Sequence, residues 1–355
     1  MHTKTIAYAA GTSGGHIIPC LTLAAQEKKC AHTLFFSTDT PLDHKLIGDS
    51  DAIDRHVVLP LTTTRRFFDY PRLAWQLAHA TWKSFWTLRK HNVEKVISTG
   101  GLIALPLALA AWIQNIPVEL WELNAVPGEA ISWCAPLASR VVINVADAQK
   151  YFSPNKCVLK PYPVQYETNE LPDAQISRAH LGLDPNKKTL LILGGSQGSF
   201  FLNSAIQTML KQHAALTEDL QIIHQTGSYD TRNWEQFYKK QNINALVFPF
   251  TNDLSRHYAA ANLVICRAGS GTLHETIFFN KPFITIPLEA HTTSHQVDNA
   301  RAVETMYPNL CTVILQEEIE QSTQSLYAAV IKKLEGAGYE KNSFGINHSS
   351  ILPQC

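Results

Sequence analysis

Three glycine-bearing loops carry residues that could do chemistry. The first reads GTSGGH, residues 11–16, and contains Thr12, Ser13, Gly14, Gly15 and His16. Glycines let the backbone approach a ligand, and N–H groups at a helix start favour an anion. His16, at the mouth of such a helix, could accept a proton. The loop lacks the GK[ST] ending of a Walker A and does not match GxGxxG, so a tight structural turn also stays open. The second loop, GGSQGS at 194–199, repeats the logic with Ser196, Gln197 and Gly198. It could hold a phosphate or a base edge, or simply turn the chain. The third, RAGSGTLHE at 267–275, offers Arg267, Gly269, Ser270, Thr272 and Glu275. A carboxylate here can accept from two vicinal hydroxyls, as a ribose presents them. Ser270 and Thr272 could instead cap the helix, and Arg267 could pair with a carboxylate. Further on, EAHTTSHQVDN at 289–299 places His295 and Gln296 at a helix start, suited to sugar hydroxyls or to solvated capping.

Other chemistries find less support. His291 and His295 are four apart, but the pattern is not HExxH, and no metal site is expected. GTSGGH contains no GxSxG elbow, which argues against a hydrolase triad. Seven cysteines without CxxC spacing form no disulfide or zinc framework and fit a reducing compartment.

The loops sit in a repeating rhythm of short apolar strands and helices. TIAYAA (5–10) precedes a helix at 17–28, and HTLFFS (32–37) follows. A long helical segment spans about 71–91; then come VEKVIST, a helix at 102–113, PVELWE, a helix at 128–138 and RVVINV. The second half repeats the pattern. TLLILGG (189–195) leads to a helix ending near 213, then LQIIHQTG, a helix near 231–241, NALVF and a short helix at 252–260. NLVICR (262–267) leads to a helix at 272–279, and PFITIPL (282–288) to one at 295–306. This is the signature of parallel sheets covered by helices, with ligand-facing turns at strand ends. A chain of 355 residues is too long for one comfortable core, so two domains are expected. The polar stretch YETNELPDAQISRA, 166–179, marks the boundary region. The expected division is 1–163, 164–335 and a tail, 336–355, that packs back on the first domain or frays.

Composition narrows the partners. The chain is 45% hydrophobic and 17% charged, with 30 basic and 30 acidic residues, so no bulk charge draws it to nucleic acid. The amino-terminal apolar run is too short for a signal peptide or spanning helix. LIALPLALAAW (102–112) is about half a bilayer span and reads as a buried helix. The segment 65–90 is different. Trp75, Trp82 and Trp86 fall near one helical face with Phe85 beside them, among six basic residues. Aromatics mixed with cations are an interfacial signature, although packing on the sheet would also account for the rings. A soluble or peripherally attached protein is expected.

Taken together, these motifs resemble the MurG family, the peptidoglycan N-acetylglucosaminyltransferases of glycosyltransferase family 28. The family's GGTGGH is here GTSGGH, its GGSQGA is GGSQGS, and its HQ-x-G is HQTG at 224–227. Its CRSGA-x-T-x-x-E is CRAGSGTLHE at 266–275, and its QQ- or HQ-x-x-NA is HQVDNA at 295–300. The resemblance covers nearly the whole chain.

That resemblance implies a GT-B fold, two Rossmann-like parallel-sheet domains facing across a cleft. It implies an inverting UDP-GlcNAc-dependent hexosyltransferase, converting undecaprenyl-linked lipid I to lipid II at the cytoplasmic face of the inner membrane. The first domain would take the lipid acceptor and the second the donor, with no cofactor or metal required. Carried over by position, Ser196, Gln197 and Gly198 lie near the nucleotide and its phosphates. Phe250 and Thr251 sit beside uracil, Glu275 holds the ribose, and His295 and Gln296 reach the GlcNAc hydroxyls. Arg267, Gly269, Ser270 and Thr272 complete the donor set. His16 is the first choice for general base and Glu122 the alternative. Asn124 orients the acceptor, and Thr12, Ser13, Gly14, Gly15 and Gly101 form the acceptor and diphosphate loops. Trp75, Trp82, Phe85 and Trp86 would meet the membrane surface, where cell-wall synthesis proteins are possible partners.

Four elements depart from the family pattern. Thr12-Ser13 stands where the family has Gly-Thr, and GGL at 100–102 replaces GGY. WELNAVPG at 121–128 replaces HEQN-x-x-x-G, and YPVQ at 162–165 replaces NPVR. Three alternatives therefore stay open: a GT-B transferase with another lipid or small acceptor, a UDP-sugar epimerase, and a non-catalytic UDP-sugar binding protein.

Overall fold

The computed structural model describes residues 4–48, 50–62, 70–168, 171–195, 197–213, 216, 218–289 and 295–336. Contacts divide the chain into two compact units, the first running to Gln165 and the second beginning at Tyr166. The first contains β1 (Lys4–Ala9), α1 (Gly14–Glu27), β2 (Ala31–Ser37), α2 (Pro41–Gly48), β3 (Arg55–Val58) and α3 (Tyr70–Lys90). It continues with β4 (Lys95–Ser98), α4 (Ala104–Ile113), β5 (Val118–Glu122), α5 (Glu129–Cys134), β6 (Arg140–Ile143) and β7 (Cys157–Leu159). The strands form a parallel sheet in the order β3-β2-β1-β4-β5-β6-β7. Strand β1 lies central, with Ala7 opposite Leu34 of β2 and Val96 of β4. Its Ala7 and Ala9 join the core under α3 and α4, while Ile6 and Tyr8 face Ile17 and Leu23 of α1. Burial on both faces explains why these strands read as continuous apolar runs rather than alternating ones.

The second unit contains α6 (Ala174–His180), β8 (Lys188–Leu193), α7 (Phe200–Gln212), β9 (Leu220–Gln225), α8 (Trp234–Lys240), β10 (Ala245–Phe248) and α9 (Ser255–Ala260). Then follow β11 (Leu263–Cys266), α10 (Ser270–Phe278), β12 (Phe283–Thr285), α11 (His295–Met306), β13 (Cys311–Val313), α12 (Gln316–Gln321) and α13 (Gln324–Gly336). Its parallel sheet runs β10-β9-β8-β11-β12-β13. Both units are Rossmann-like. In each, strand order reverses beside the first strand, between β1 and β4 and between β8 and β11. Loops at the carboxyl ends of strands at such a switch point diverge and leave room for a ligand.

Several elements differ from expectation. The division between the units falls at the start of the stretch 166–179, and the end of that stretch forms α6. Asp173 caps that helix, accepting from the N–H groups of Gln175 and Ile176 at 2.8 and 2.9 Å. Arg178 of α6 is buried and donates to the Ala260 and Pro185 carbonyls and to Asn262. Helices α2, α12 and α13 and strands β7 and β13 had no sequence counterpart. Of the expected tail, residues 337–355 lie outside the described residues. Cys20, Cys134, Cys157, Cys266 and Cys311 are free thiols, whereas Cys30 is disulfide-bonded.

Candidate functional site

In the first unit, the β1–α1 loop is built against two neighbours. Thr12 adopts φ = +69°, a left-handed conformation that a β-branched residue rarely takes. Asp43, fully buried on α2, holds it there by accepting the Thr12 N–H at 3.1 Å. The same carboxylate accepts from the Thr38 N–H and hydroxyl at 3.1 and 2.5 Å. On the other side lies the loop after β4. A Cβ at Gly101 would stand 2.9 Å from the Gly11 carbonyl oxygen, so the two loops pack backbone to backbone. Gly101 also has φ = +85°, so glycine is required twice over.

His16 lies in the first turn of α1, behind Ser13, whose side chain does not cap the helix. Thr99 fixes its backbone by donating to the His16 carbonyl at 2.8 Å. Burial lowers the His16 pKa below the ordinary histidine value, opposed by the Gly11 backbone. The ring is therefore neutral at neutral pH, the form a base needs. Its Nδ1 has no hydrogen-bond partner among the described residues. Gly100, at φ = +112°, lies beside the ring, where a Cβ would make ordinary contact at 3.6 Å from Nε2.

Glu122, at the end of β5, is 2% exposed. One carboxylate oxygen accepts from the Asn124 N–H and side-chain amide at 2.8 and 3.1 Å, and the other from the Gly128 N–H at 3.1 Å. Burial raises its pKa to about 7, while the Asn124 and Gly128 hydrogen bonds pull it down. A carboxylate bonded in this way organises the 122–128 loop. Trp121 and Leu123 are 5% and 2% exposed and belong to the core on the α1 side of the sheet. Trp121 donates its indole N–H to Glu119 at 2.9 Å. Two departures from the family's HEQN are thus core positions in this chain.

In the second unit, the loops after β8 and β9 interlock. Gly198 and Gly227 have φ of +79° and +83°, and a Cβ on either would collide with the backbone of the opposite loop. At Gly194 a Cβ would lie 2.6 Å from the Ser199 nitrogen. Gln197 is exposed at the loop's tip, and Ser196 lies outside the described residues. Ser199 caps α7 by accepting from the Leu202 N–H at 3.2 Å, and it also accepts from Arg267 Nε at 2.8 Å.

Arg267 does not pair with a carboxylate among the described residues. It donates to the Ile286 and Pro287 carbonyls and to Gln316 at 3.1, 3.3 and 3.2 Å, and lies over the Phe201 ring. Burial lowers its pKa to about 10. The guanidinium ties the loops after β8, β11 and β12 together, because those buried carbonyls lack strand partners.

Helix α10 begins after Gly269, which as a glycine has no side chain to cap it. Ser270 and Thr272 lie in its first turn. Glu275, one and a half turns in, has one oxygen held by the Tyr258 hydroxyl at 3.1 Å. The other has no partner among the described residues. Burial lifts its pKa to about 7. Gln296, in the first turn of α11, accepts the Leu288 N–H at 3.0 Å, which leaves its amide N–H groups to point elsewhere. Beside it, His295 Nδ1 is buried without a partner among the described residues. After β10, Phe250 is 46% exposed, and Thr251 shapes its turn through the hydroxyl, donating to the Asp253 carbonyl and accepting the Asp253 N–H. Tyr258, which positions Glu275, was missed in sequence; nothing in YAAANL marks it as a partner of a residue seventeen positions on.

Helix α3 sends its aromatic residues two ways. Trp75, Trp82 and Trp86 are 68%, 61% and 53% exposed, whereas Phe85 packs against the core. Packing on the sheet thus explains Phe85 but not the tryptophans. His79 stacks between Trp75 and Trp82, with ring centroids 5.4 and 6.2 Å away. Among the described residues, no helix is long and apolar enough to cross a membrane.

Comparison with known proteins gives consistent matches. Residues 6–143 match the Glycosyltransferase family 28 N-terminal domain, and residues 189–343 its C-terminal domain. The chain is 30% identical over 315 residues to the UDP-N-acetylglucosamine--N-acetylmuramyl-(pentapeptide) pyrophosphoryl-undecaprenol N-acetylglucosamine transferase of Thermodesulfovibrio yellowstonii, covering 88% of this chain and 85% of that one. The equivalent transferase of Hahella chejuensis is 30% identical over 307 residues, covering 86% and 83%. The crystal structure of Acinetobacter baumannii MurG superposes with a TM-score of 0.74 at 24% identity, covering 94% of this chain and 93% of that one. That likeness assigns the GT-B fold.

Proposed function

The chain belongs to glycosyltransferase family 28, among its peptidoglycan N-acetylglucosaminyltransferases, and from this we propose that it converts lipid I to lipid II. The donor is UDP-GlcNAc and the acceptor is the C4 hydroxyl of MurNAc-(pentapeptide)-diphospho-undecaprenol. The acceptor oxygen bonds to C1 of GlcNAc as the C1–O bond to UDP breaks, and the electron pair leaves with UDP. The hydroxyl proton passes to the neutral imidazole of His16. Inversion gives a β-1,4 linkage.

The observation that carries this reading is half-buried Glu275 on α10, with one oxygen held by Tyr258 and the other without a partner among the described residues. A helix start offsets the charge growing on a departing diphosphate, and a carboxylate oxygen accepts from ribose hydroxyls. With backbone N–H groups supplying that field, no metal ion is required. Phe250 and Thr251 flank the uracil, Gln197 and Gly198 the phosphates, and His295 and Gln296 the GlcNAc hydroxyls. Asn124 orients the acceptor on a loop held by Glu122, a positioning residue. The exposed tryptophans of α3 hold the enzyme peripherally at the cytoplasmic face of the inner membrane, where its lipid substrate resides.

The test is incubation of the purified protein with labelled UDP-GlcNAc and lipid I. Formation of lipid II is expected; donor binding without lipid II would overturn the reading.

A further inference from the structure

Beneath the interlocked loops of the second unit runs a buried polar chain that none of the assigned donor contacts uses. His224 of β9 is fully buried between two partners. Its Nε2 lies 3.0 Å from Asn203 Oδ1, and its Nδ1 lies 2.8 Å from the Tyr238 hydroxyl. An amide oxygen can only accept, so Nε2 carries the hydrogen and Tyr238 donates to Nδ1. Burial lowers the His224 pKa to about 3, which keeps this tautomer neutral. Asn203, also fully buried, spends its amide N–H groups on the Thr226 carbonyl at 2.9 Å and on Asp230 Oδ2 at 2.8 Å. Arg232 closes the chain, donating from its backbone N–H and from Nε to one Asp230 oxygen at 3.2 and 2.8 Å. Its Nη2 reaches the other oxygen at 2.5 Å. Its guanidinium is flanked by the Phe200 and Trp234 rings, 4.1 and 4.6 Å to the centroids.

The connectivity has a direction. Asn203 lies in the first turns of α7, directly after the GGSQGS loop, and Thr226 lies in the HQTG loop. The Thr226 carbonyl that accepts from Asn203 is the same atom against which Gly198 is packed. We propose that Asn203, His224 and Asp230 are positioning residues for the donor diphosphate. They hold the two glycine loops at one separation, so that the loops' backbone groups meet the phosphates without rearranging. This rests on the proposed use of UDP-GlcNAc. A fully satisfied buried network suits the task, since each member fixes the orientation of the next.

The test compares UDP with uridine, which lacks the diphosphate, by calorimetry on the full chain. Asn203→Ala is expected to weaken UDP by about tenfold or more while leaving uridine within about twofold, because small misplacements at a site cost that much. Tyr238→Phe cuts the network at its far end. It is expected to lower the melting temperature and to weaken UDP clearly less than Asn203→Ala does, because His224 keeps its bond to Asn203. If Asn203→Ala does not fold, Asp230→Asn, which keeps the side-chain shape, carries the test with the same UDP-selective loss. Equal weakening of UDP and uridine, an unchanged UDP affinity, or a Tyr238→Phe loss as large as that of Asn203→Ala would overturn the assignment. A wild-type chain that binds no UDP at all would instead remove the functional reading beneath it.

Discussion

The buried carboxylate of Asp43 accepts the backbone N–H of Thr12 at 3.1 Å and so holds a threonine at φ = +69°. The resembled family has glycine at this position, and a left-handed β-branched residue costs about 1–3 kcal/mol. Replacement by glycine, T12G, is expected to stabilise the first unit by about 1 kcal/mol and to preserve transfer. Thermal unfolding and a lipid II assay check both, and a lower melting point would show that the threonine side chain contributes more than the strain removes.

His16 should govern the acidic limb of the rate profile. Burial lowers its folded pKa beneath the unfolded value of about 6.5. In acid the unfolded chain takes up the proton first, so this residue's contribution weakens the fold as pH falls from about 6.5 downward. Catalysis should persist below 6.5 and decline only at the lowered value. His16→Ala should cost roughly 100-fold in kcat and flatten that limb. A loss within about threefold would remove His16 as the base.

Glu275 should make donor binding pH-dependent. Its pKa is raised to about 7, and the carboxylate is the better acceptor for ribose hydroxyls. Donor affinity should therefore weaken as pH falls through about 7. The same shift makes ionisation in the folded chain a cost, so its contribution to stability declines as pH rises from about 4.5 to 7. Glu275→Gln should lose about tenfold in UDP-GlcNAc affinity, as expected for a charge-assisted hydrogen bond, and should show no pH dependence near 7. Titrations at pH 6 and 8 separate the outcomes.

The α3 rings should separate by exposure. Exchanging Trp75, Trp82 and Trp86 for alanine should abolish flotation with anionic vesicles and leave the melting temperature within a few degrees. Phe85→Ala should instead cost about 2 kcal/mol of stability, since that ring packs on the core. Vesicle binding unchanged in the folded triple variant would assign the tryptophans elsewhere.

Chelation is the complementary measurement. The proposed mechanism sets helix starts rather than a cation against the diphosphate, and it predicts that excess EDTA leaves the rate within about twofold. A loss restored by a divalent ion would identify a metal requirement.

The alternating architecture was legible because β1, β8 and β11 are short apolar runs ending in glycine loops, and burial on both faces leaves no ambiguity of pattern. Strands β7 and β13 are three residues long and give no period to read. Helix α6 hid inside a polar stretch because it buries Ser177 and Arg178 rather than an apolar stripe, although its Asp173 cap was a usable signal. The glycine loops announced themselves by composition. What each polar residue does in them did not. Arg267 bonds to Ser199, to the Ile286 and Pro287 carbonyls and to Gln316, which come within its reach only when the sheet assembles, and Glu122 turns inward on its own loop. The core placement of Trp121 and Leu123 likewise depends on which face of β5 they occupy.

The interlocked pair Gly198 and Gly227 bears on how this protein can change. Each position excludes a side chain because of the other's backbone, so neither can be substituted alone, and substituting both compounds the clash. An evolving lineage has no stepwise route through this pair. Efforts to redirect the enzyme to another nucleotide sugar would better begin at Phe250, where nearly half of the residue faces solvent.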